Sequence, residues 1–131
     1  ANLAAVMAES SRRVLLLDHP ADTVVSPHNG QAAVQVWAQA MGARAGAVRK
    51  QQRGQRHAMS LVDFKRRGTT VATLVMVDGL AHAWSGGAAK QPFSDAQGPD
   101  ASRMTWAFAA RQFRAPSLAP VAAAQRRAAA E

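Results

Sequence analysis

The sequence contains no cysteine. Disulfides, thiolate nucleophiles and cysteine-based zinc sites are therefore excluded within these residues. Aromatic residues are scarce at 5%, so Val, Leu, Ala and Met must fill whatever core the 48% hydrophobic content builds. No apolar run reaches the ~18 residues that a membrane-crossing helix needs. Residues 1–17 lack a basic stretch followed by an apolar block and a cleavage site, so no signal peptide is read in this chain. The first residue is Ala rather than Met, and the reading is of one piece of a longer protein. Histidines stand at His19, His28, His57 and His82, and none falls in the HExxH spacing of a helical zinc site.

Acidic residues are outnumbered, with Lys and Arg at 16 against Asp and Glu at 8, a net charge of +8. Such a balance permits a nucleic-acid partner. The basic residues lack the interleaved aromatics that stack bases, and no recognition-helix pattern accompanies them, so no nucleic acid is expected. Arg is favoured over Lys and Ala is abundant, a pairing that GC-rich coding produces without functional demand. The run from Arg44 to Arg56 reads as a solvated loop or ragged helix end.

At 131 residues the chain is long enough for one domain. Residues 2–8 read as the end of a helix. Val14 to Leu17 form a short apolar run of the kind found in buried parallel strands, followed by the turn-rich Asp18-His19-Pro20-Ala21-Asp22. A helix start is expected near Ser26 to Gly30, with Ala33, Val34, Trp37, Ala40 and Met41 on one face and Gly42 as its C-terminal cap. Met59 to Phe64 and Val71 to Val77 read as a β-hairpin around Arg66-Arg67-Gly68-Thr69, its second strand the more buried. A last helix is expected after Gly98-Pro99, with Asp100 or Ser102 at its N-cap, Met104 and Phe108 inward, and Trp106 and Phe113 flanking that stripe. Beyond about residue 114 the chain turns Ala- and Pro-rich and reads as a disordered tail, residues 115–131. The order is strand, acid-bearing loop, helix, hairpin, histidine-bearing loop, helix, an α/β class of fold.

Two loops in that order suit nucleophilic acyl transfer. Asp22 follows one strand and His82 follows a later one, and hydrolases of the α/β type carry their triad in the chain order Ser, acid, His, each on a loop after a strand. The histidine takes the serine proton, and the carboxylate fixes its tautomer and stabilises the imidazolium. Asp18 is the nearest competitor for the acid. Asp78 reads as a turn residue, and His28 and His57 as surface residues.

The local sequence carries more than the spacing. GLAHAWSGG places Gly79, Ala81, His82, Trp84, Ser85, Gly86 and Gly87 where the polyhydroxybutyrate (PHB) depolymerase family of esterases has Gly-x-Gly-His-x-Trp-Ser-Gly-Gly. Gly98, Pro99, Asp100, Ala101 and Ser102 match that family's start of the following helix. Upstream, Asp22, Val25, Pro27, Asn29 and Gly30 match its acid loop. The chain thus resembles the C-terminal portion of a PHB-depolymerase-type esterase over residues 2 to about 113. The resemblance implies the C-terminal part of an α/β-hydrolase sheet in three αβα layers, spanning residues 1–114. It implies His82 as triad base and Asp22 as triad acid. Trp84, two residues after His82, is a candidate for lining the substrate groove, with packing of the loop as the equal alternative. The implied substrates are polyhydroxyalkanoate or related carboxylic esters, without metal or organic cofactor, and the implied location is extracellular or periplasmic.

The chain departs from the family at three points. No Gly-x-Ser-x-Gly nucleophile elbow occurs, and neither Ser60 nor Ser85 has the flanking glycines of that turn, so this chain alone is expected to be inactive. Asp18-His19 stands where the family has His-Gly, and Pro20 follows. The Gly before the catalytic-type histidine is here Ala81. The alternatives to an esterase portion are an inactive, decayed gene product and, further off, a small basic nucleic-acid-binding protein.

Overall fold

The computed structural model describes residues 13–114. The readings of residues 2–8 as a helix end and of residues 115–131 as a tail lie outside the described residues.

The leucine-rich run forms strand β1 (Val14–Asp18). It lies parallel to β5 (Thr69–Val77), in register from Val14 opposite Ala72 to Asp18 opposite Met76. Alternate residues of the two strands point to opposite faces. Leu16, Ala72 and Leu74 therefore join one core cluster, while Leu15, Leu17, Val75 and Val77 join another. Both faces of this parallel pair are thus used, which is why its sequence is a near-continuous apolar run rather than an alternating one.

The hairpin forms as the sequence indicates. Strand β4 (Met59–Arg66) pairs antiparallel with β5 across the two-residue turn Arg67-Gly68, with a bulge between Phe64 and Lys65. On its outer side the structure corrects the sequence reading. Arg44 to Arg56 is not all loop: β2 (Arg44–Ala45) and β3 (Arg49–Gln51) both pair antiparallel with β4. These short edge strands are exposed throughout, so no apolar alternation marks them in sequence. Their pairing comes from the backbone and from Arg49, which reaches Asp63 at 2.7 Å. Charged, very short edge strands are also poor templates for further pairing. The sheet order is β1-β5-β4-β2, with β3 beside β4.

Helix α1 (His28–Ala40) packs on one face through Val34 and Ala38, followed by Met41, with Trp37 partly buried beside them. Ala38 belongs to the inward stripe, whereas Ala33 is exposed. Gly42 ends the helix at φ +62°, and the Ala43 N–H bonds back to the Ala38 carbonyl at 2.8 Å, a Schellman-type stop. Helix α2 (Ala101–Arg114) meets the other face through Met104, with Ala101 and Phe108 buried. Asp100 is its N-cap, accepting the Arg103 N–H at 2.9 Å. Trp106 and Phe113 do not flank the buried stripe. Both are exposed, since positions two and nine residues after Met104 lie on the far side of a 3.6-residue turn. The described residues thus form a mixed sheet with a helix on each face, an α/β architecture. None of its helices is long and apolar enough to cross a membrane.

Candidate functional site

The carboxyl ends of β1 and β5 lie side by side because the two strands are parallel neighbours. Loops leaving them are consequently adjacent, although Asp22 and His82 are 60 residues apart. The first loop turns at once: the Asp22 N–H bonds to the His19 carbonyl at 2.9 Å. Asp22 Oδ1 then accepts the N–H groups of Val24 at 2.8 Å and Val25 at 2.9 Å, closing the loop on its own side chain. That leaves Oδ2 facing outward from the turn, and it meets His82 Nδ1 at 2.8 Å.

The second loop is anchored from below and behind. Leu80 is fully buried in the cluster under the sheet. Behind His82, β6 (Trp84–Ser85) pairs with β7 (Ser94–Asp95), and Ser85, also buried, donates its hydroxyl to the Pro99 carbonyl at 2.6 Å. Ser85 is therefore held as a structural strut and does not face His82 as a nucleophile. The glycines of the Trp-Ser-Gly-Gly segment have a contact reason. Gly86 sits at φ +77°, and a Cβ there would lie 2.6 Å from Asp100 Cα and 2.8 Å from the Pro99 oxygen. The histidine loop and the start of α2 touch backbone to backbone, and no side chain fits between them. Ala81 has no positive φ, so its Cβ is accommodated without strain.

The electrostatics of the pair follow from these bonds. The Asp22 side chain is 6% exposed and that of His82 44%. The Val25 N–H does most to lower the Asp22 pKa, burial opposes it, and His82 and the Val24 N–H add to the lowering, leaving it at about 2 against an ordinary 3.8. An ionised carboxylate only accepts hydrogen bonds, so Nδ1 must carry the proton. In the neutral ring the lone pair is then on Nε2, which has no hydrogen-bond partner among the described residues. The arrangement is an oriented base: one nitrogen fixed by a buried anion, the other open to solvent. Chemically it can take a proton from an incoming hydroxyl and return it to a leaving group.

The structure therefore brings Asp22 and His82 together. The competitor Asp18 points elsewhere. Its Oδ1 accepts the His19 N–H at 2.8 Å, and its carboxylate lies against the first turn of α1 at Gly30. Trp84 is 56% exposed on the segment after His82. Asp78 is an exposed residue at the end of β5, as a turn reading requires. Two features were missed from sequence. Phe93 is 75% exposed at φ +53° and stands edge-on to the His82 ring, centroids 6.0 Å apart. No local pattern announces it, because a positive φ at Phe is set by tertiary contacts. The other is a second histidine–carboxylate pair, His57 Nε2 with Asp95 Oδ2 at 3.1 Å. His57 is thus half-buried rather than a surface residue. Burial raises the Asp95 pKa, but the Gln97 N–H and His57 outweigh it and leave the group below its ordinary value. With Arg56 bonded to the Ala96 and Gly98 carbonyls, this pair ties the hairpin to the segment behind the histidine loop.

Among the described residues no group of three His, Asp or Glu is placed to hold a metal ion. No protein-family model matches the chain, and no curated protein matches it.

Proposed function

We propose that this chain supplies the base and the acid of a serine-esterase triad of the PHB-depolymerase type, and that its sheet is the C-terminal part of an α/β-hydrolase sheet. His82 is the base and Asp22 orients it. The serine and the oxyanion donors come from residues outside this chain. The single observation that carries the reading is the 2.8 Å Asp22–His82 bond, formed between loops at the carboxyl ends of two parallel strands with Nε2 left open.

Three further observations support it. Among the described residues β1 has a strand neighbour on one side only, so upstream parallel strands have an edge on which to add. The tight packing at Gly86 gives a physical reason for the glycines of the Trp-Ser-Gly-Gly segment. Exposed Trp84 and Phe93 set apolar surface beside the imidazole, suited to an uncharged ester such as a polyhydroxyalkanoate. The same family reading places the protein outside the cell or in the periplasm.

The mechanism follows the geometry. A serine hydroxyl brought to Nε2 would lose its proton there while the oxygen attacks the ester carbonyl. The imidazolium so formed is stabilised by the Asp22 carboxylate, then protonates the leaving alcohol. The acyl-enzyme is hydrolysed by water through the same base. The test is hydrolysis of a p-nitrophenyl ester. This chain alone should give the same background rate as its His82→Ala variant. A clear His82-dependent rate from the chain alone would overturn the claim that the nucleophile lies outside it.

A further inference from the structure

Two described residues other than glycine have a positive φ, Arg67 at +50° and Phe93 at +53°. Arg67 lies in the two-residue turn between β4 and β5, where a hairpin of this kind demands that conformation. Phe93 has no such reason. A bulky residue adopts the left-handed region only at a cost, which glycine escapes and asparagine largely escapes. Phe93 recovers little of that cost by burial, being 75% exposed. The backbone that follows it is fixed all the same. The Phe93 carbonyl accepts the Trp84 N–H at 2.8 Å. Ser94 and Asp95 then pair with Trp84 and Ser85, and the Asp95 carboxylate is tied to His57. What this fixed backbone presents is the ring. It stands at 80° to the His82 imidazole with centroids 6.0 Å apart, the geometry of an edge-to-face pair. An exposed, left-handed phenylalanine is thus explained by the imidazole it meets, not by the stability of its own loop.

His82 needs such a contact. Its side chain is 44% exposed, and its Nδ1 bond to Asp22 Oδ2 is its one hydrogen bond among the described residues. That bond fixes one ring atom and the tautomer, but leaves the ring free to pivot about that atom. A base must also aim its Nε2 lone pair, which lies across the ring from Nδ1. We infer that Phe93 is a positioning residue for His82: its ring holds the plane of the imidazole while Asp22 holds Nδ1. The inference rests on His82 being the base of the proposed triad.

The test reads the imidazole in the whole chain, by nitrogen NMR of the histidine rings in mildly alkaline buffer, beside urea unfolding. Exchange of the His82 Nδ1 proton with water requires the ring to leave Asp22. In Phe93→Asn that exchange should be about two- to ten-fold faster than in the parent, the worth of one edge-to-face pair expressed as a ratio. In Phe93→Tyr, which keeps the ring, it should match the parent. Asn tolerates a positive φ, so the urea midpoint of Phe93→Asn should be no lower than the parent's. Its Trp84 amide shift should show β6 and β7 still paired. Unchanged exchange in Phe93→Asn, or exchange in Phe93→Tyr as fast as in Phe93→Asn, would overturn the assignment. So would a lower urea midpoint or lost β6–β7 pairing in Phe93→Asn, since the ring would then be a structural element of the loop. Ester hydrolysis indifferent to His82 in a complete enzyme would sink the esterase reading and leave these ring measurements standing, so the two proposals fail separately.

Discussion

Replacing Gly86 by Ala probes the packing that places the histidine loop. Two costs add. The residue sits at φ +77°, a left-handed conformation that costs a residue with a Cβ about 1–2 kcal/mol. The new Cβ would also fall 2.6 Å from Asp100 Cα, 2.8 Å from the Pro99 oxygen and 3.0 Å from the Asp100 nitrogen. All three are backbone atoms at the start of α2, so no side chain can swing aside, and overpacking of this kind costs about 1–3 kcal/mol. The sum, about 2–5 kcal/mol, is a large share of the ~5–15 kcal/mol that holds a domain folded. Gly42→Ala separates the two contributions. Gly42 has φ +62° but open space around its Cβ direction, so it carries the conformational cost alone. Urea unfolding followed by circular dichroism, extrapolated linearly, gives both losses on one scale. Gly86→Ala should lose about 1–3 kcal/mol more than Gly42→Ala, the contact part alone. It should also shift the amide resonances of His82 and Asp100. Equal losses in the two variants would refute the claim that backbone contact, rather than backbone conformation, is what the glycine provides.

Other perturbations have equally definite outcomes. Because the Asp22 pKa is lowered from 3.8 to about 2 on folding, the unfolded chain binds the extra proton between those values. Stability from this group is therefore complete above about pH 4 and lost as pH falls through about 2, and Asp22→Asn should flatten the unfolding midpoint over that window. Leu80→Ala removes a fully buried side chain beneath the histidine loop and should cost about 2–5 kcal/mol by urea unfolding. Phe108→Ala should cost about 3–5 kcal/mol, whereas Trp106→Ala, on the exposed side of the same helix, should stay within about 0.5 kcal/mol of the parent. In a complete enzyme Asp22→Asn should lower kcat by about four orders of magnitude, as the loss of the orienting acid does in serine proteases, with KM little changed.

The sequence made β1, α1, the hairpin and α2 legible because each carries a period or a punctuation mark. The apolar run at Leu15 to Leu17, the Gly42 stop and the Asp100 cap are local signals with local causes. The edge strands at Arg44 and Arg49 were illegible because their formation depends on β4 offering an open edge, not on their own side chains. The exposed side of α2 was misjudged for a related reason: Trp106 is apolar but lies on the wrong side of the turn. In the site, Asp22 and His82 were legible through order and neighbouring residues. Their contact depends on the parallel pairing of β1 with β5, which no local segment encodes. Phe93 and the His57–Asp95 tie were illegible, since both arise where distant segments cross.

The central claim is that His82 and Asp22 are the base and acid of a serine esterase. It is tested most directly by measuring p-nitrophenyl ester hydrolysis by the polypeptide translated from the complete coding sequence, beside its His82→Ala variant. The account requires a Gly-x-Ser-x-Gly elbow upstream of Ala1 and a loss of about three to four orders of magnitude or more in kcat on removing His82. A complete polypeptide without that elbow, or with hydrolysis indifferent to His82, would contradict it.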